Sequence, residues 1–234
     1  AVGTGIVRPG LVSSSIGSSG VIFAYSDTPG VDPKTRVHTF NHSVPGKWYL
    51  MGVMLSAGLS LRWFRDTFCE LEKDIEKKTG RDAYDQIAKL AATAPIGADG
   101  VTFLPYLSGE RTPHKNPHAR GVFFGISHIS DKARMARAVM EGIVFGLKDS
   151  LDIIESTGGF KVKEIRATGG GAKSPFWRQM QADMYNAKVV TINTREGAAF
   201  GAALLAAVGT GEYASVPEAC AAALERALSS DPAQ

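Results

Sequence analysis

Two glycine-rich bends carry the residue types best suited to chemistry in this chain. The first is Gly17-Ser18-Ser19-Gly20. Glycines there let successive backbone N–H groups face one point, and serine hydroxyls add donors, so the bend has the makings of a phosphate cradle. An ordinary hairpin turn has the same composition. The second is Gly169-Gly170-Gly171-Ala172-Lys173-Ser174-Pro175-Phe176-Trp177. It follows an apolar run and opens a helical pattern with proline near its first turn, which sets a ligand over helix N–H groups. It is neither a P-loop, because Ala167 and Ala172 stand where glycines are required, nor a dinucleotide fingerprint, because Ser174 stands at the last glycine. A purely structural turn is the alternative.

Other chemistry has weaker support. His38/His42 and His114/His118 are spaced four apart, as zinc ligands on a helix are, but neither pair has the adjacent glutamate. Pro113 and Pro117 also forbid a helix through the second pair. No metal site is expected. Gly109-Glu110-Arg111-Thr112-Pro113-His114 follows an apolar run and reads as an internal ion-pair loop or part of a site, the first being preferred. Glu196-Gly197 with Ala198 to Ala203 places small residues at helical spacing, which favours close packing over chemistry.

These features need elements to hold them. Leu11 to Tyr25 reads as a β-hairpin around the first bend. Val37 to Leu55 adds strand interrupted at Pro45-Gly46. Ser56 to Lys78 has helical spacing through Leu59, Trp63, Phe64, Phe68, Leu71 and Ile75, with Gly80 as a stop. Ala83 to Thr93 is a second helix and Val101 to Leu107 a buried strand. Ser108 to Arg120 is a loop and Gly121 to Ile126 another strand. Asp131 to Ser156 is the longest helix, closed by Gly158-Gly159. Strand Glu164–Thr168, helix Pro175–Tyr185, strand Val189–Asn193 and helix Ala198–Val208 then alternate, and Val216 to Leu228 is a last helix. The expectation is an α/β fold in which a hairpin and meander precede β-α-β-α, giving a mixed sheet with helices on both faces.

The 234 residues suffice for a sizeable core, and 44% apolar with 21% charged residues excludes a disordered or fibrous chain. Apolar runs fall short of a membrane span. A net charge of +3 without dense Lys/Arg blocks argues against nucleic acid and membrane partners. Two cysteines, Cys69 and Cys220, make neither a disulfide framework nor a zinc knuckle, and a cytoplasmic location is expected. The apolar, glycine-spaced opening Ala1 to Val7 reads as the start of an excised domain or fragment.

The chain resembles the second half of the FGGY carbohydrate kinases, and within them the xylulokinases. The most specific block is Phe103-Leu104-Pro105-Tyr106-Leu107-Ser108-Gly109-Glu110-Arg111-Thr112-Pro113-His114 with Asn116-Pro117 and Arg120 to Ile126. Ala138 and Met140-Glu141-Gly142 resemble a further signature, from which Arg134 departs. The resemblance implies an actin-like ATPase (ribonuclease H-like) fold, with residues 1–234 forming one nucleotide-binding domain. It implies that Gly17, Ser18, Ser19 and Gly20 face the β- and γ-phosphates of ATP. Gly169, Gly170, Gly171, Lys173 and Ser174 would hold the adenosine, with Gly58 near the nucleotide and Arg62 a weaker candidate. Glu196-Gly197 and Ala199 to Ala203 would form a hinge helix.

By the same resemblance the reaction is transfer of a phosphoryl group from MgATP to D-xylulose, with domain closure excluding water. The general-base aspartate, the sugar pocket and most of the Mg2+ site belong to an N-terminal domain before Ala1, so these residues alone are expected to be inactive. A different pentulose, a non-catalytic nucleotide-binding module and one half of an obligate assembly are the alternatives, and a homodimer is among the assemblies allowed.

Overall fold

In the computed structural model, which describes residues 1–194 and 197–233, a seven-stranded mixed sheet carries the fold. Strands β1 (Leu11–Ile16) and β2 (Gly20–Ser26) form the expected hairpin around the first bend. Strands β3 (His38–Asn41) and β4 (Trp48–Met54) continue it antiparallel. The helical segment that follows is two helices, α1 (Gly58–Phe68) and α2 (Glu70–Thr79), where the spacing predicts one. The break is Cys69, whose backbone (φ −118°, ψ 51°) leaves the helical region while its side chain is fully buried. The change of direction carries α2 beside α3 (Ala83–Ala92), where Gln86 Nε2 donates to the Glu72 carbonyl.

Val101 to Leu107 is not one buried strand. Only β5 (Thr102–Leu104) is extended, and it pairs with β6 (Val122–Phe124) in a separate two-stranded sheet. Phe103 packs into the core, whereas Thr102 and Leu104 face outward, as alternation requires. Helix α4 (Lys132–Gly158) starts on the Asp131 cap, which accepts the Arg134 amide, and ends at Gly159 in the left-handed conformation. Its apolar stripe meets β2, β4 and β5, and Met140, Ile143, Leu147 and Leu151 lie at the centre of the core.

The tail alternates as expected: β7 (Glu164–Gly169), α5 (Pro175–Tyr185), β8 (Lys188–Ile192), α6 (Gly197–Gly209) and α7 (Val216–Ala223). β7 adds parallel to β1, and β8 parallel to β7. The last predicted helix is a correction. It stops at Ala223, Leu224 turns extended, and β9 (Arg226–Ser230) pairs antiparallel with β8. The open edge of β8 offers backbone hydrogen bonds that override the helix propensity of Arg226, Ala227 and Leu228.

Val12, Ile165 and Val189 point into the main core, and their neighbours Leu11, Glu164 and Lys188 point to the opposite face. A smaller apolar cluster of Val2, Val7, Leu204, Val216, Ala219 and Cys220 packs separately from the main core. There α6 lies against the first residues so closely that a Cβ on Gly3 would stand 1.7 Å from the Gly197 carbonyl oxygen. That is the close packing expected of the small-residue stretch; Glu196 lies outside the described residues. Among the described residues no helix is long and apolar enough to cross a membrane.

Candidate functional site

The two bends lie side by side because β1 and β7 are adjacent and parallel and end level with each other. Ile16 is in register with Gly169, so both bends leave the same edge of the sheet. Contact is direct. A Cβ on Gly169 would approach the Ile16 carbonyl oxygen to 2.5 Å, and Gly169 itself has φ 76°, which glycine adopts without strain. Gly171 packs on the Ile16 side chain.

A cavity of about 300 Å³ opens between them. Its wall takes Gly17 and Ser18 from the first bend and Gly170, Gly171, Lys173 and Ser174 from the second, with Trp177 beyond. Gly58 and Arg62 line it from α1. Ser19, Gly20 and Gly169 stand outside the lining. Ser19 is exposed at the tip of the bend, and Gly20 is buried against Leu147.

Helix α1 is fastened to the first bend. Gly58 N donates to the Gly17 carbonyl at 2.9 Å and Leu59 N to the Ser18 carbonyl at 3.0 Å. A methyl on residue 58 would meet the Gly17 oxygen at 2.3 Å, so the approach requires glycine. These bonds spend the first amides of α1 on the bend. Gly17 N bonds back to Ser19 O at 3.0 Å, while no hydrogen bond within the described chain engages the hydroxyls of Ser18 and Ser19. Both are exposed, Ser18 in the cavity wall and Ser19 at the tip of the bend beside it.

The second bend is braced from beneath. A short 3-10 turn, Gly170–Ala172, leads to Ser174, whose hydroxyl accepts the Trp177 amide and caps α5 ahead of Pro175. Arg178 donates one guanidinium nitrogen to the carbonyls of Ala172 (2.6 Å) and Lys173 (3.0 Å). Its Nε is buried without a partner, and burial lowers its pKa. Gln181 Nε2 reaches the Gly171 carbonyl, and its Oε1 accepts the Ser14 hydroxyl from β1, which also meets Tyr185. One buried amide thus ties the second bend to the strand that carries the first.

Helix α3 contributes a wall that sequence reasoning missed: Tyr84, Asp85 and Ala88, with the capping Asp82. Asp82 Oδ1 accepts the Tyr84 amide at 2.7 Å, and the Arg65 guanidinium lies over the Tyr84 ring. Nothing in the spacing of that helix marks it, since only the turn at Cys69 brings it to the cavity. Trp177 stood within the second motif but not among its candidate residues; it is buried, with Nε1 donating to the Met140 carbonyl. The cavity therefore pairs flat apolar surface with cations (Arg62, Lys173), carboxylates (Asp82, Asp85) and the free Ser18 hydroxyl.

The remaining candidates resolve differently. Glu110 is buried, but its Oε1 accepts backbone amides from Leu55 (3.1 Å) and Arg111 (2.6 Å), in place of the expected ion pair. Its Oε2 has no partner, and burial pushes the carboxyl up to about 6 against the pull of the two amides. His42 is buried between the Ile6 carbonyl and the Val44 amide. His114 meets the Tyr106 hydroxyl at 3.0 Å. Among the described residues no group of three or more His, Cys, Asp or Glu side chains is placed to hold a metal ion.

The profile of the FGGY family of carbohydrate kinases, C-terminal domain, matches residues 12–210. Over 220 residues the chain is 43% identical to the xylulose kinase of Staphylococcus epidermidis, covering 94% of this chain and 42% of that protein. The ligand-bound structure of xylulose kinase from Lactobacillus acidophilus superposes with a TM-score of 0.87 at 29% identity, over 99% of this chain and 45% of the other. Gluconate kinase from the same organism gives 0.87 at 30%, again over 99% and 45%. The chain thus spans less than half the length of the relatives it matches.

Proposed function

The chain belongs to the FGGY family of carbohydrate kinases, and from that premise we propose that it is the nucleotide-binding half of an ATP-dependent xylulose kinase. One observation carries the reading: two donor-rich bends end adjacent parallel strands and open into one cavity. The exposed hydroxyls of Ser18 and Ser19 suit phosphate oxygens. Lys173 adds positive charge, and Trp177 with Tyr84 offers flat surface to a base. Gly58 keeps α1 close enough to fix the first bend. Arg178 and Gln181 hold the second bend in place before ligand arrives, so less ordering is left to binding.

The donor set fits a polyphosphate. Mg2+ would arrive on the nucleotide, and when bound it neutralises charge on the transferred group. The phosphoryl acceptor is D-xylulose in this reading, and the resemblance assigns its general base to an aspartate outside residues 1–234. These residues alone are therefore expected to bind nucleotide without transferring phosphate. A coupled assay with D-xylulose and MgATP, run beside calorimetric titration of ATP, tests both halves. Expected are no turnover above background and ATP binding that weakens in S18A and K173A. Turnover would put the base within these residues; undiminished binding in both variants would remove the site.

A second reading rests on the two Lactobacillus acidophilus structures. Gluconate kinase superposes as well as xylulose kinase, so the likeness of fold supports either sugar. Comparison of kcat/KM for D-xylulose, D-ribulose and D-gluconate in the full-length protein decides between them.

A further inference from the structure

A second concavity lies on the face of the sheet opposite the main core, away from the nucleotide cavity. Two adjoining hollows of about 530 and 540 Å³ share Arg8, Leu11 and Arg226. Strand register builds them. Leu11 pairs with Glu164 and Glu164 with Lys188, and Arg166 follows one pleat on, so these side chains share one face of the sheet. The main core lies on the other face.

The charges there do not balance. Five basic side chains, Arg8, Lys163, Arg166, Lys188 and Arg226, line the hollows against two carboxylates, Glu164 and Glu225, and Lys188 pairs with a third, Asp231, at 3.6 Å. Glu164 is buried and already saturated: its Oε1 accepts Arg166 Nε at 3.1 Å and its Oε2 accepts an Arg226 guanidinium nitrogen at 2.5 Å. Arg166 is fixed further by its bond to the Thr4 carbonyl. Arg8 and Lys163 are exposed, and no hydrogen bond or ion pair engages their charged groups. Two guanidiniums are thus held in place by one carboxylate while two further cations remain free beside them. Val7, Ile192 and Leu224 supply apolar wall on one side.

We propose that this concavity is an accessory binding site for a small organic phosphate, whose phosphate meets Arg8, Lys163 and Arg226 and whose carbon body lies on the apolar wall. Arginine forks match phosphate oxygens in pairs, and pre-positioned ones lose little freedom on binding. The site is separate from the nucleotide cavity, because the two share no lining residue and its hollows lie on the sheet face opposite the main core, whereas that cavity opens beyond the last residues of β1 and β7.

Inorganic phosphate and D-ribose 5-phosphate are titrated calorimetrically into the protein saturated with a non-hydrolysable ATP analogue, at fixed ionic strength. The expected result is one binding event for each, tighter for the ester. In the double variant R8A/K163A the affinity falls by about tenfold, the effect of losing one or two charge-assisted bonds. ATP affinity and the thermal midpoint stay close to wild-type values, since neither charged group has a hydrogen bond or ion pair within the described residues. No binding in the presence of the analogue overturns the proposal, as does wild-type affinity in the variant. An ester that binds no tighter than inorganic phosphate overturns the assignment to an organic phosphate.

Discussion

Glu110 shows how far one side chain departs from its ordinary chemistry in this fold. Its carboxyl has two backbone amides on one oxygen and nothing on the other, and burial outweighs those amides to push it up to about 6. The folded state therefore holds the proton more tightly than the unfolded chain does. Its contribution is fully present below pH 4.5 and is lost as pH rises to about 6, a change worth about 2 kcal/mol. In E110Q that part of the pH dependence should vanish, so the thermal midpoint of the variant declines less than the wild type's between pH 4.5 and 6.5. Parallel profiles would show that Glu110 does not titrate in this range.

At the scale of elements, α5 and its bend act as one piece because Arg178 reaches back to the Ala172 and Lys173 carbonyls. R178A should cost about 2 kcal/mol of stability, the size of charge-assisted hydrogen bonds lost from a buried group. ATP affinity should fall further than stability explains, with R178K recovering part of it. Denaturant titration and calorimetry on the three proteins separate the effects; equal ATP affinity in all three would leave Arg178 with folding alone. Most elements were legible beforehand because they are marked locally: the hairpin by Gly17 and Gly20, α4 by its long apolar spacing, α5 by Ser174 and Pro175. The misses share a cause. Cys69 looks like one more apolar residue in a helical run, and only its tertiary burial shows why the helix breaks there. Arg226 to Ser230 becomes a strand because β8 offers an edge, which no local spacing records. The cavity was legible as two glycine motifs, but its α3 wall was not, since that wall exists only after α1 and α2 part at Cys69.

At the scale of the molecule the buried apolar side chains among the described residues form one large cluster and two small ones. The main core joins α4 and α5 to β1, β2, β4, β7 and β8, whereas α6, α7 and the first residues share a small cluster. Of α6, only Gly201 and Leu204 are buried among the described residues. Amide hydrogen exchange should therefore release α6 and α7 at a lower free energy than β1, β7 and α4, as a separate opening unit. Exchange measured against sub-denaturing urea checks this; a single isotherm for both groups would mean that the sheet couples them into one unit. The architecture shared with the sugar kinases includes both parts, since the superposition covers 99% of this chain, and both glycine bends rest on the main core.

Ile16 is the common footing of both lips of the cavity: one lip begins at its peptide and the other rests on its side chain. The ladder between the two strands then works as a ruler. A slip of a single residue along it would displace one lip by about 3.3 Å, roughly the width of one chemical group, and would turn Ile16 to the other side of the sheet. The spacing of the two lips is in that sense written in the pairing of Ile16 with Gly169, some distance beneath any atom a guest would touch.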